Sequence, residues 1–240
     1  MWFAILVAAI LLVALIAYTL YGHRRHLAIS IGPTIDPASR PNTALLLIDL
    51  QDDFTSDNAR HTYPADAMKN GIMAINKLVE TSNANGFPVI SIRQTFAGWY
   101  VNFLVKLLNE GRGCPKSKGL DIDARIDGDI DHDIVKSRAD AFHEPELSLV
   151  LDRHQVGKLI IVGLDGDFCV NATMKAALNR GYDVSFSDTT TLAQNPQSWR
   201  KTKSRLIALG AKDRIDEKAS DAVSDTTATA TATAKQSEPA

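Results

Sequence analysis

The stretch Gly163-Leu164-Asp165-Gly166-Asp167-Phe168-Cys169-Val170 decides how this chain folds. It follows the apolar run Lys158-Leu159-Ile160-Ile161-Val162, which reads as a buried strand. After it, Val170, Met174, Ala177 and Leu178 recur at helical spacing, and Gly181 supplies a stop. A strand passing directly into a helix places Cys169 at the edge of an α/β sheet, where ligands bind. Free amides and the helix dipole favour an anion there, which biases the thiol toward thiolate. A lone cysteine is more often a small buried hydrophobe, so a catalytic role has to be argued from the rest of the chain.

Working outward, the pattern repeats. The run Ala44-Leu45-Leu46-Leu47-Ile48 reads as a buried parallel strand ending at Asp49. Residues 65–85 read as a helix with Met68, Ile72, Ile75, Leu78 and Val79 on one face, and residues 88–93 as the next strand. Residues 99–108 read as a short amphipathic helix and 111–131 as a loop, in which Cys114 has no neighbour that would activate it. A short strand at 132–136 ends at Lys136. A helix at 146–154, the strand before Cys169, a strand at 182–188 and a helix at 196–209 complete the alternation. Strand–helix–strand alternation predicts a parallel sheet with helices on both faces.

The composition is that of a globular protein, and a net charge of -2 leaves no electrostatic footprint for nucleic acid. Two cysteines cannot build a disulfide framework, and no paired Cys/His spacing for zinc appears. Residues 2–20 are apolar and uncharged, about long enough to cross a bilayer core as a helix. The run exceeds a usual signal core and no clear cleavage site follows it, so a retained membrane anchor is expected. Arg24 and Arg25 follow it, which puts the remainder on the cytoplasmic side. Thiols stay reduced there. The expected domains are an anchor with its basic flank at 1–26, a linker at 27–41 that lets the domain stand off the membrane, a catalytic domain at 42–215, and an Ala/Thr-rich tail at 216–240 too poor in large apolar residues to bury a core.

Asp49, Lys136 and Cys169 each fall at the end of an expected strand, and in a parallel sheet those ends share one edge. An acid beside a thiol takes its proton, and a lysine beside both offsets the shared negative charge. At this point a resemblance is plain. The segments Leu47–Phe54, Ile134-Val135-Lys136 with Ala141-Phe142, and Gly163–Thr173 resemble the three signature blocks of the isochorismatase-like cysteine hydrolases, in the right order, over residues 42–212. That family includes nicotinamidases, N-carbamoylsarcosine amidase and ureidoacrylate amidases. The resemblance implies an α/β fold, a three-layer αβα sandwich around a six-stranded parallel sheet (Rossmann-like), usually homo-oligomeric. It implies a triad of Asp49, Lys136 and Cys169, a cis peptide at Leu164–Asp165, and an oxyanion hole made of the Asp165 and Cys169 backbone amides.

The departures also carry meaning. Many members have a small residue followed by Thr where this chain has Asp165-Gly166, and an acid there either repels an anionic substrate or points to solvent. Arg93-Gln94-Thr95-Phe96 stands where nicotinamidases carry a metal-binding Asp-x-His, and His61 alone is a weak substitute. No metal or cofactor is therefore expected, and nicotinamide is disfavoured as substrate. The cysteine, absent from true isochorismatases, favours amide or ureide chemistry on a small molecule. Phe54, Trp99, Leu164 and Phe168 are the expected pocket walls. The main alternative is a catalytically silent membrane-bound scaffold of the same fold, and a weaker one is redox sensing by Cys169 paired with Cys114.

Overall fold

The computed structural model describes residues 2–56 and 63–215. The apolar run before Asp49 becomes β1 (Asn42–Ile48) and the run before Cys169 becomes β4 (Val156–Leu164). They lie side by side in parallel, with Leu45 opposite Ile160 and Ile48 opposite Gly163. Around them the sheet continues through β2 (Val89–Gln94) to β3 (His132–Lys136) on one side, and through β5 (Asp183–Phe186) to β7 (Lys212–Asp213) on the other. The pairings along this path are all parallel. A seventh strand, β6 (Thr191–Leu192), pairs with the last two residues of β4. The apolar pattern shows five strands and the family resemblance implies six; the sheet has seven, because β6 and β7 are two-residue strands too short to show an apolar period.

Strand alternation explains the unbroken apolar runs. Ala44, Leu46 and Ile48 with Leu159 and Ile161 face one side of the sheet, and Leu45 and Leu47 with Ile160 and Val162 face the other. Both sides are covered, so both sets are buried. The helix α3 (Ala65–Ala84) lays Met68, Ile72, Ile75, Leu78 and Val79 on the Leu45 side. On the other side sit α5 (Pro145–Arg153), α6 (Asn171–Asn179) and α7 (Pro196–Ala208), through Leu147, Leu151, Met174, Ala177 and Leu206. Two further helices follow strand ends, the single turn α2 (Asp52–Thr55) after β1 and α4 (Trp99–Asn109) after β2.

Gly163 sets the close approach of β1 and β4 at the edge that matters. It has φ +116°, and a Cβ there would lie 2.1 Å from the Ile48 carbonyl oxygen. Only glycine lets the two strand ends, and the residues that follow them, come this near.

Upstream of the sheet, α1 (Trp2–Leu27) is, among the described residues, the one helix long and apolar enough to cross a membrane. The segment expected to be a free linker instead runs along the domain. The Ser30 amide donates to Asp140 Oδ2 at 2.7 Å, the Ile35 amide to the Arg180 carbonyl at 2.8 Å, and Arg180 Nη1 to the Ser30 carbonyl at 3.1 Å. Ile29 and Ile35 pack against the core. The end of α1 is tied down as well, its His26 carbonyl accepting from the Ala139 amide at 3.1 Å. Of the prolines that suggested a linker, Pro37 opens a short 3-10 turn at Pro37–Ser39, and prolines in a segment carry no information on whether it docks. The tail at 216–240 lies outside the described residues.

Candidate active site

Three strand ends build the site. Because β1, β3 and β4 run parallel, Asp49, Lys136 and the turn holding Cys169 emerge on one sheet edge. Asp49 leaves β1 in a left-handed conformation, φ 55°, with its amide still donating to the Ile92 carbonyl at 2.8 Å. Lys136 is placed by alternation along β3. Ile134 and Lys136 face inward while Val135 is exposed, so an ammonium occupies a position that would otherwise hold a core hydrophobe.

A buried ammonium is costly unless it is paired. Lys136 Nζ donates to Asp49 Oδ2 at 3.0 Å and to Gln94 Oε1 at 2.6 Å, and lies 2.9 Å from Asp49 Oδ1. That Oδ1, although inside ion-pair distance, makes no hydrogen bond of its own with a described residue. Gln94 is fixed in turn: its amide donates to Gln51 Oε1 at 2.5 Å, and Gln51 Nε2 donates to the Gln94 and Leu120 carbonyls. Two buried glutamines at the ends of β1 and β2 thus orient the lysine. Sequence reasoning missed them, although a signal was present: Gln94 closes β2 and Gln51 follows β1 by three residues, each an uncharged polar residue near an apolar run.

Cys169 sits in a π-helical turn (Gly166–Val170) that leads into α6, partly buried as a residue and packed against the core. The thiol interacts with both Asp49 and Lys136. Its pKa is pushed up, by burial of the sulfur and then by the Asp49 charge, with Lys136 pulling the other way. The helix start was expected to favour thiolate. Desolvation and the adjacent carboxylate outweigh the dipole, and the resting group is a thiol. For Lys136, burial works against the charged form, but the Asp49 charge, with the Cys169 sulfur beside it, holds the ammonium above its ordinary value. Burial also raises Asp49, against the pull of Lys136, which makes it a stronger base than a surface carboxylate. One consequence is measurable. Alkylation of Cys169 by iodoacetamide should climb about tenfold per pH unit between about pH 7 and pH 9, because each unit adds a factor of ten in thiolate below the pKa. Peptide mapping by mass spectrometry reads it, and a plateau near neutrality would mean a resting thiolate.

The Leu164–Asp165 peptide bond is cis. Asp165 neither points to solvent nor faces an open site. Its Oδ1 accepts from the Asp167 amide at 2.7 Å, while Oδ2 accepts from the Gln194 amide at 3.0 Å and from the Tyr63 hydroxyl at 3.2 Å. The carboxylate therefore caps the turn that presents Cys169. Thr173 fastens the same region to the loop after Lys136, its hydroxyl accepting from the Ala141 amide at 3.2 Å.

The four expected pocket residues are dispersed. Phe168 is exposed one residue before Cys169, and Phe54 packs beside Gly113 and the Leu45-side core. Leu164 is buried within that core, and Trp99 stacks on Tyr18 of α1, ring centroids 6.0 Å apart. A cavity of about 390 Å³ lies between α1 and the domain, with Arg25, His26, Val101 and Arg138 among its walls. Cys114 is buried and its thiol is also raised, chiefly by burial.

Where nicotinamidases carry their metal-binding Asp and His, the donors here do not fit a cation. Gln94 Oε1 is taken by Lys136, and the Phe96 ring packs against His26 at 5.7 Å. Among the described residues no group of three His, Cys, Asp or Glu side chains is placed to hold a metal. His61 lies outside them.

Comparison with known proteins agrees with this architecture. An uncharacterised isochorismatase family protein of Bacillus subtilis, YaaI, is 28% identical over 148 residues, covering 61% of this chain and 78% of its own length. Among solved structures, the nicotinamidase/pyrazinamidase PncA from Bacillus subtilis superposes with a TM-score of 0.63 at 22% identity, over 72% of this chain and all of that one. The N-carbamoylsarcosine amidase from Thermoplasma acidophilum gives 0.59 at 20% identity, over 72% and 95%. At such identities these likenesses speak for the fold. The isochorismatase domain model itself matches residues 43–212, from the start of β1 to β7. With that match spanning the whole sheet, the chain belongs to the isochorismatase family of hydrolases.

Proposed function

We propose that this chain is a membrane-anchored cysteine amidohydrolase that cleaves a C–N bond in a small amide or ureide. The observation that carries the reading is the buried Asp49–Lys136 pair set against the Cys169 thiol. In the resting site Lys136 balances Asp49. When Asp49 takes the thiol proton, Lys136 balances the new thiolate instead, so the net charge of the trio does not change and no uncompensated charge is buried. Cys169 Sγ then attacks the substrate carbonyl carbon, and the oxyanion is received by the backbone amides of Asp165 and Cys169. Asp49 delivers its proton to the leaving nitrogen, the C–N bond breaks, and ammonia or an amine departs from a thioester. Water, deprotonated by Asp49, attacks the thioester. The carboxylic acid leaves and Cys169 recovers its proton. Each step uses one proton, carried between sulfur, carboxylate and nitrogen or oxygen, and no redox partner is required.

Amidase activities named for the structural relatives support a C–N target. The length and apolarity of α1 support the anchor, and Arg24 and Arg25 after it support a cytoplasmic domain. The test is an ammonia-release screen of amides, ureides and hydrazides with the purified full chain in detergent, followed by intact mass after brief exposure to any substrate found. An acyl adduct on Cys169 is the expected result. A full screen with neither ammonia nor adduct would favour the silent scaffold.

A further inference from the structure

The helix α4 does not behave as its composition demands. Its sequence, Trp-Tyr-Val-Asn-Phe-Leu-Val-Lys-Leu-Leu-Asn, is apolar around most of its circumference. Such a helix belongs inside a core or against lipid. Yet among its described side chains only Asn109 is buried, and none joins either core cluster. Trp99, Phe103, Leu107 and Leu108 are 57–71% exposed, and the first three recur at a spacing of four, forming one stripe. Contiguous exposed apolar surface of this kind marks an interaction site.

Its place relative to α1 says what it meets. Tyr18 of α1 stacks on Trp99 at the start of α4. From Trp2 to Tyr18 a helix rising 1.5 Å per residue covers roughly 24 Å, close to the hydrocarbon thickness of about 30 Å. The contact therefore falls where α1 leaves the apolar layer. Tyr18, Tyr21 and Trp99 cluster at that level, the arrangement of an interfacial aromatic belt. Arg24 and Arg25 lie just beyond it, and Lys106 stands exposed on α4 among the leucines, able to reach headgroups while its stem stays in apolar surroundings.

We propose that α4 lies in the headgroup–acyl boundary of the bilayer that α1 crosses, with Trp99, Phe103, Leu107 and Leu108 against phospholipid. This rests on the reading of α1 as a membrane anchor. The domain then has two membrane contacts. The cavity between α1 and the domain, with Arg25 and Arg138 beside Tyr18 and Val101, has walls that suit a headgroup and its first methylenes.

The chain carries its own reporters, since its three tryptophans are Trp2, Trp99 and the buried Trp199. The full chain, Trp2→Phe and Trp99→Phe are placed in phosphatidylcholine–phosphatidylglycerol vesicles with bromine near the headgroup or near the chain end. Differences in emission isolate Trp2 and Trp99. Trp99 should lose most of its emission to the shallow bromolipid, less to the deep one, and little to aqueous iodide. Loss to iodide with no loss to bromolipid would place α4 in water and overturn the proposal. Shielding from both quenchers that disappears when the chain is diluted among vesicles would assign the face to a second copy, and would overturn it equally. Trp2 separates the two readings: if neither bromolipid quenches Trp2, the anchor itself is wrong, whereas a quenched Trp2 with an aqueous Trp99 defeats only the placement of α4.

Discussion

Replacing Cys169 with Ala should reduce turnover by about 10⁴-fold or more, the scale at which removal of a nucleophile leaves only binding and oxyanion contributions. The fold should survive. The residue is partly exposed, alanine is a good helix former at the entrance to α6, and the change removes a single sulfur, so stability should stay within about 1 kcal/mol. Steady-state ammonia release on a substrate from the screen measures the first effect, and denaturant unfolding of the same preparation the second. Loss of activity with an unchanged midpoint identifies a chemical role. Turnover retained in the alanine variant would remove Cys169 as nucleophile, and with it the thioester mechanism.

The largest stability effect should come from Lys136→Met. Methionine matches the shape of the lysine stem, so packing at this fully buried position is nearly preserved and the charge is what changes. Asp49 is then left buried without its counter-ion, and Gln94 Oε1 without its donor. Breaking a buried ion pair from one side costs about 3–5 kcal/mol. Asp49→Asn combined with Lys136→Met should recover much of that loss, because a buried pair replaced whole is often neutral. The four proteins form a double-mutant cycle whose coupling energy is read from unfolding midpoints. All three variants should be nearly inactive, since an amide takes no proton from the thiol and the methionine variant has nothing to balance a thiolate. A Lys136→Met protein as stable as the parent would mean that the two groups are not held as a charged pair.

The layers and the site edge were readable because the physics behind them is local. Continuous apolar runs such as Leu45–Ile48 and Leu159–Val162, short and ended by Asp49 and Gly163, match strands buried on both faces, and helical spacing in α3 and α6 follows from one-sided burial. The convergence of Asp49, Lys136 and Cys169 needed only parallel strands. What escaped was set by distant contacts. The Asp165 cap on the Asp167 amide is local, but what holds its other carboxylate oxygen, Gln194 and Tyr63, lies far from it in sequence. That Gln94 orients Lys136 depends on which strand neighbours β3. The state of the Cys169 thiol was misjudged because the helix dipole is visible in a local window, whereas the carboxylate that opposes it comes from another strand. The docking of residues 28–41 was invisible for the same reason, its partners Asp140 and Arg180 lying beyond any local pattern.

That docked segment changes the mechanics of attachment. A free chain extends by up to about 3.3–3.6 Å for each residue, so a loose connection would let the domain roam through a wide shell around the end of α1 and tumble within it. Clamped by Ser30 to Asp140, by Ile35 to Arg180 and by His26 to Ala139, the connection is a bracket rather than a leash. The direction in which α1 leaves the domain is then a property of the fold itself. Lengthening the segment between those clamps with flexible residues would form a bulge without adding reach, until the clamps themselves were undone.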